Sequence, residues 1–474
     1  MMGELDKAGR RGTGSRTINA MIPTDHLLRR VDRLLDIVEL RAALAPHYSR
    51  CGRPSVDPEL LVRMMLIGRI YAISSERRLC EELRYNLAYR WFCRLAPAAT
   101  VPHHSTFSKN RHGRFRDAGI FRVIFEATVK RCIAKGLVAG KDAAIDASFI
   151  AADASWQRKM RPVDIAGHSE PLSLMRPVRE WLADSASAPR SDIGAPRGAP
   201  ASLSRTDPGA AWSSRTVRGR FGYSLNVLID TPSGITLEVQ ATPARHGSEV
   251  DAARDMLARA GDRFDFRPKR VAADTAYGSA VFLAFVRDQG ALPHIPVLER
   301  SEQTNGMFPR EAFTFNREGD YFTCPAGKVL PYRAFEKPTG IRRYRAFTAD
   351  CRPCPLRQKC TTAPFRSVGR MQDEDVRDVV RAESRTGLFK RSVRLRCGVE
   401  RLFADAKSRR GLSRLHLRGL RGAEEEFLIT ATVLNLLVLA RPSQKLKRSR
   451  RVPTAPVRIS NMAKITQSRF QFAA

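Results

Sequence analysis

The chain has 474 residues, with 82 Lys and Arg against 48 Asp and Glu, a formal charge of +34, and 43% hydrophobic content. That length can bury a large core in two or three domains, and the charge makes a polyanion such as nucleic acid the first partner to consider. The longest apolar run, Phe427 to Ala440, is too short to span a bilayer and contains Asn435, which excludes a membrane anchor there and reads as a buried helix.

Residues 1–18 are polar, basic and glycine-containing, and read as a disordered tail rather than a secretory signal. With no export signal, the nine cysteines are expected as reduced thiols in a cytoplasmic setting. Residues 19–138 read as a helical domain. Apolar periodicity runs through DHLLRRVDRLLDIVELRAAL and PELLVRMMLIGRIYAI, and Asp57-Pro58 suits a cap followed by proline in the first turn. In PHHSTFSKNRHGRF (Pro102 to Phe115), a helix beginning near Ser105 would aim backbone N–H groups, Lys109 and Arg111 at DNA phosphates. Short Ser/Thr-plus-basic patterns also arise by chance.

From residue 139 to 299 the pattern changes to strands alternating with helices, which implies a mixed α/β sheet covered by helices. KDAAIDASFIAA is an apolar strand with Asp146 in its middle, and residues 185–218 read as an extended polar loop. FGYSLNVLIDT and GITLEVQAT form a hairpin at Pro232-Ser233-Gly234, SEVDAARDMLARA is a helix capped by Ser248, and KRVAADTAYGS ends a strand at Asp274. SAVFLAFVRDQG and PHIPVL supply one more helix and a short strand. A lone Asp in an apolar strand is costly to bury unless it is paired or binds metal.

Residues 300–390 interrupt the pattern as an insertion. It carries Cys324 in YFTCPAGK and Cys351, Cys354 and Cys360 in CRPCPLRQKC, which matches the ligand count of a structural zinc site. The alternative is a set of reduced bystander thiols, as Cys51, Cys80, Cys93, Cys132 and Cys397 are expected to be.

Residues 391–421 follow, with two acids among ten basic side chains. Read as one amphipathic helix, the segment buries Leu395, Val399, Leu402, Phe403 and Ala406. It sets Arg396, Glu400 and Lys407 within roughly 40° of one another. One carboxylate between two cations tolerates a phosphate backbone if a divalent metal sits on it; a solvated basic helix with an internal ion pair is the plainer alternative. Asp146, Asp274 and Glu400 could together hold two divalent ions for phosphodiester chemistry, while Asp153, Asp230 and Asp405 are decoys. Residues 441–474 are a second basic tail.

AIDAS around Asp146, AADTAYGS around Asp274 and Arg396-x3-Glu400-x6-Lys407, in that order, resemble the insertion-sequence DDE transposases with a tyrosine–arginine–glutamate–lysine signature around the third acid. GRPSVDPELLVRMMLIGRIY and VPHHSTFSKNRHGRF are similar to the N-terminal domain of one branch of that group. The resemblance covers residues 24–440. It implies a ribonuclease H-like core and two Mg²⁺ (or Mn²⁺) ions on Asp146, Asp274 and Glu400. It also implies cutting and joining of terminal inverted repeats in a bacterial cell by a homodimer on double-stranded DNA. Arg396 and Lys407 would hold DNA at the cut, with Arg401 beside them. The signature tyrosine is replaced by Val393. A non-catalytic DNA-binding derivative and a site-specific nuclease are the rival readings.

Overall fold

The computed structural model describes residues 1–3, 18–157, 159–160, 176–187, 202–213, 219–245, 247–297, 306–337, 340–371 and 374–441. Most of the two tails, and residues 188–201 and 214–218 of the expected loop, lie outside them.

The N-terminal region is helical, but the expected long helices are divided. α1 (Leu27–Leu34) and α2 (Leu40–Leu44) are separated where Leu35 turns extended. α3 (Pro58–Ile70) starts as its sequence dictates, with the Asp57 carboxylate accepting from the Glu59 N–H at 2.7 Å and Pro58 in the first turn. α4 (Glu76–Tyr85) and α5 (Leu87–Phe92) are divided by Asn86, whose backbone is extended and whose side chain accepts from the Ala88 and Tyr89 N–H groups. An Asn that can cap a new helix competes with continuing the old one. α6 (His104–Asn110) and α7 (Ile120–Ala134) complete the region.

The main sheet is built on β1 (Asp142–Ala151), β2 (Arg220–Asp230), β3 (Ile235–Pro243), β4 (Arg270–Ala272) and β5 (Leu292–His294). Their order is β3–β2–β1–β4–β5: β2 is antiparallel to both β1 and β3, whereas β4 is parallel to β1 and to β5. A short strand, Ala211–Ser213, also pairs with the start of β2. The β2–β3 hairpin turns at Pro232–Gly234, where Asp230 accepts from Ser233 and from the Gly140 N–H. Between the sheet strands come α8 (Arg176–Ser187), α9 (Ser248–Phe264) and α10 (Ala280–Asp288). Ser248 does not cap α9 as expected. Gly247 occupies that place with φ +94°, and the Ser248 hydroxyl donates back to the Pro243 and Arg245 carbonyls.

The insertion forms its own antiparallel sheet, β6 (Thr314–Asn316), β7 (Tyr321–Thr323), β8 (Val329–Glu336), β9 (Ile341–Arg345) and β10 (Ser367–Met371), in sequential order. Phe313, Phe322, Leu330, Tyr344 and Val368 make a small core separate from the main one. α11 (Glu374–Glu383) then leads back to the main sheet.

The basic segment is two helices, not one: α12 (Gly387–Leu395) and α13 (Cys397–Arg409). The turn tightens at Arg396, whose carbonyl accepts from the Val399 N–H three residues on. Constant 100° steps therefore fail across it. Val399, Phe403 and Ala406 are buried as expected, but Leu395, before the break, is exposed. α14 (Leu420–Leu439) is a buried helix packed on β3, α7 and α3. Its Asn435 is fully buried because its amide grips the edge of β3, accepting from the Thr236 N–H at 2.9 Å and donating to the Thr236 carbonyl at 2.8 Å. The core beneath runs from α3 and α7 through β1, β2 and β3 to α14 without interruption. No helix among the described residues is long and apolar enough to cross a membrane.

Candidate active site

Asp146 sits mid-way along β1, opposite Val227 of β2. Period-two alternation sends its side chain to the face opposite Ile145. One carboxylate oxygen accepts from the Ala147 N–H at 2.8 Å, and the other from the Arg396 guanidinium at 2.5 Å. Burial pushes its pKa up to about 6; the Ala147 N–H and Arg396 oppose that rise, and the nearby Asp274 adds to it. Asp274 lies just past β4, at the head of a short turn, where its carboxylate accepts from the Ala276 N–H at 2.9 Å. Glu400 is on the first turn of α13, 61% exposed, with one oxygen 3.7 Å from the other nitrogen of Arg396. Arg396 thus ties Asp146 to Glu400, far apart in the sequence, while Asp274 acts on Asp146 through space. As placed, no three of these or any other described His, Cys, Asp or Glu side chains stand together as a metal-holding group.

Sequence reading missed Tyr277. It is buried, its hydroxyl has no hydrogen-bond partner, and burial together with Glu249, Asp146 and Asp274 raises its pKa far above the usual phenol value. It stays protonated, within electrostatic reach of both acids. Its signal was present in the Asp274-x-x-Tyr277 turn, which an acid-by-acid search passes over.

The expected cations divide. Arg396 is committed to the acids. Lys407 is half-buried on α13, and burial lowers its pKa with no acid acting against that shift. Arg401 is exposed on the same helix. Ser105 and Lys109 are exposed on α6, although the helix starts at His104 and the His103 ring accepts from the Ser105 N–H. Arg111 departs from expectation: it points inward and pairs with Glu76 at 2.5 Å, with Glu426 and Glu425 of α14 adding to the attraction although burial still lowers its pKa. The decoys have structural partners. Asp153 pairs with Arg414 and Arg418, Asp230 holds the hairpin, and Asp405 pairs with Arg410.

In the insertion, Cys324, Cys351 and Cys360 pack against the small core, and all four cysteines are free thiols. The Lys328 N–H donates to the Cys324 sulfur at 3.3 Å. Burial raises the Cys360 pKa, and Cys351, Cys324 and Cys354 raise it further, so the four lie within electrostatic reach of one another without forming a ligand cluster.

Against known proteins, residues 16–113 match the family described as "Transposase domain (DUF772)", and residues 188–436 match "Transposase DDE domain". The second match contains Asp274 and Glu400 but begins beyond Asp146. No curated protein matches the chain. Among solved structures, the chain is similar to a piggyBac transposase in a synaptic complex with hairpin DNA, at 9% identity and a TM-score of 0.31 over 93% of this chain and 80% of that one. That score is too low to carry a structural argument.

Proposed function

The chain belongs to the DDE transposase family, matched over more than half its length, and is a DNA transposase; on that premise we propose that Asp146, Asp274 and Glu400 are its catalytic carboxylates. The observation that carries this reading is Asp146 itself, a buried acid at the centre of the sheet joined through Arg396 to Glu400 and coupled to Asp274.

The sheet supports a ribonuclease H-like core. Three antiparallel strands are followed by two parallel to the first, in the order 3-2-1-4-5, with the first acid on the first strand and the second just past the fourth. The intact Arg396, Glu400 and Lys407 support membership of the tyrosine–arginine–glutamate–lysine group, with Val393 as the departure.

The acids suit two Mg²⁺ or Mn²⁺ ions. A buried carboxylate held up at about 6, with a second acid beside it, is short of positive charge, and the exposed Glu400 can turn inward. Bound there, such ions would activate a water or 3′-hydroxyl and stabilise the leaving oxygen. Asp146 and Asp274, fixed by their backbone N–H bonds, provide the rigid side of the site. Arg396, displaced from the acids, is then free for a phosphate, and Lys407 lies two turns beyond Glu400 on the same helix. Tyr277, neutral and without a partner of its own, would offer a hydroxyl to a group bound beside the acids. The substrates of this reading are the element's terminal repeats and a target duplex, brought together by a homodimer in the cytoplasm. Cys324, Cys351, Cys354 and Cys360 would close on a structural Zn²⁺, supported by their donor set, their grouping and the N–H bond already made to the Cys324 sulfur.

The test is cleavage of a duplex carrying the element's ends by Asp146→Asn, Asp274→Asn and Glu400→Gln, in Mg²⁺ and in Mn²⁺. Each change should abolish cutting in both metals and leave end binding within a few-fold. Full activity in any one of the three would remove that residue from the centre.

A further inference from the structure

Beyond the end of β1 the chain builds an aromatic group that the catalytic reading does not use. Trp156 and Trp212 face each other with ring centroids 4.0 Å apart and planes 31° apart. Phe221 closes the group beneath, edge-on to Trp212 at 5.2 Å. Both tryptophans stay substantially exposed, Trp156 at 40% and Trp212 at 36%. Gly219, at φ +52°, lies so close against the Trp212 indole that a Cβ there would stand 2.4 Å from the ring. The ring is therefore braced rather than loose.

The surroundings are basic. The Lys159 ammonium lies over the Trp156 ring, 4.0 Å from its centroid. Arg414 and Arg418 reach Asp153, three residues before Trp156, at 2.6 and 2.8 Å. Two exposed, braced indoles cost apolar hydration, and a surface with three cations beside them is poorly suited to an apolar protein partner. Every nucleobase has a π face that stacks on tryptophan, and every nucleotide brings a phosphate for the cations.

We propose that Trp156 and Trp212 form a stacking platform for unpaired DNA bases, with Lys159 moving from the ring to the phosphate as the base arrives. This rests on the reading of the chain as a DNA transposase. The platform adds a second site to it, specific for single-stranded DNA next to a duplex. From Asp146 to the end of β1 is five residues, on the order of 17 Å along the strand, so a few unpaired nucleotides leading from the acids would reach it.

The test compares the full chain on a blunt duplex, on the same duplex with a short oligothymidine extension, and on one with an abasic extension, all without magnesium. The wild type should prefer the thymidine extension over both other probes. Trp156→Ala with Trp212→Ala should weaken binding to that probe roughly 5- to 100-fold while leaving blunt-duplex affinity unchanged, and Trp156→Phe should keep part of the preference. Gly219→Ala, which leaves both tryptophans in place but displaces the Trp212 ring, should also lower it. Circular dichroism and melting curves establish that each variant is folded. A preference that survives in the double variant, or in the abasic probe, overturns the platform. So does an equal loss on the blunt duplex, or a changed oligomeric state in place of a changed preference. Wild-type binding to neither duplex would instead bring down the DNA reading on which the platform rests.

Discussion

Arg396 is the cation around which the candidate centre is organised, and Asp146 is the group it most affects. Burial raises Asp146 to about 6 even with the guanidinium at 2.5 Å. A folded pKa above the unfolded value means the folded chain holds this proton more tightly. Stability is therefore fully present below about pH 4 and falls as pH rises to about 6, by roughly 3 kcal/mol from this group alone. In metal-free buffer, Asp146→Asn should match the wild type near pH 4 and exceed its stability at neutral pH. Urea denaturation at the two pH values checks this, and a difference independent of pH would show that the carboxyl does not titrate as described. At this scale the sequence was readable wherever chemistry is local. The apolar run around Asp146 announced a strand with one acid inside it, and the structure buries that acid there beside Arg396. Arg111 was not readable, because its partner Glu76 lies on a different helix, and the acids that add to the pull come from α14, more than 300 residues later.

Among the elements, the strands were legible and the helix ends were not. Alternating and continuous apolar runs fixed β1, β2 and β3 to within a residue or two. Periodicity could not show that Asn86 would start a new helix, or that the chain would tighten at Arg396, since both depend on hydrogen bonds rather than hydrophobic spacing. Asn435 shows the same principle with a measurable cost. Its amide satisfies both backbone groups of Thr236, so Asn435→Leu leaves a buried N–H and a buried C=O without partners. We expect a loss of about 2–4 kcal/mol, read from chemical denaturation; a loss below 1 kcal/mol would mean that water or a shifted strand replaces the amide. The insertion depends on other means. Its core is small, and metal analysis of the purified chain should find about one zinc, released together with loss of the β6–β10 sheet when Cys354→Ser is made. A native insertion free of metal would show that its small core and ion pairs such as Arg342 with Asp320 suffice to hold it.

Across the whole molecule, the helical region is joined to the sheet by buried charge as well as by the continuous core. Glu426 of α14 pairs with Arg69 of α3 and accepts from the His416 and Leu417 N–H groups at 2.7 Å each. Arg116 pairs with Glu425, and Arg122 with Glu238 of β3 at 2.9 Å. Glu426→Ala would leave Arg69, only 13% exposed, without its partner and should cost about 3–5 kcal/mol in melting experiments. The loss should appear as a shift of one cooperative transition. An early separate melt of the helical region would show that the two parts are stable independently.

α14 has a temporal consequence. It is among the last described segments to leave the ribosome, yet it packs on α3, α7 and β3, all synthesised long before it. At about 5–20 residues per second, β3 waits roughly 10–40 seconds for the helix that covers it. During that interval the apolar faces of α3, α7 and β3 that α14 buries stay open to solvent. Chains stopped before Leu420 lack that cover and should be protease-sensitive in pulse-labelling experiments.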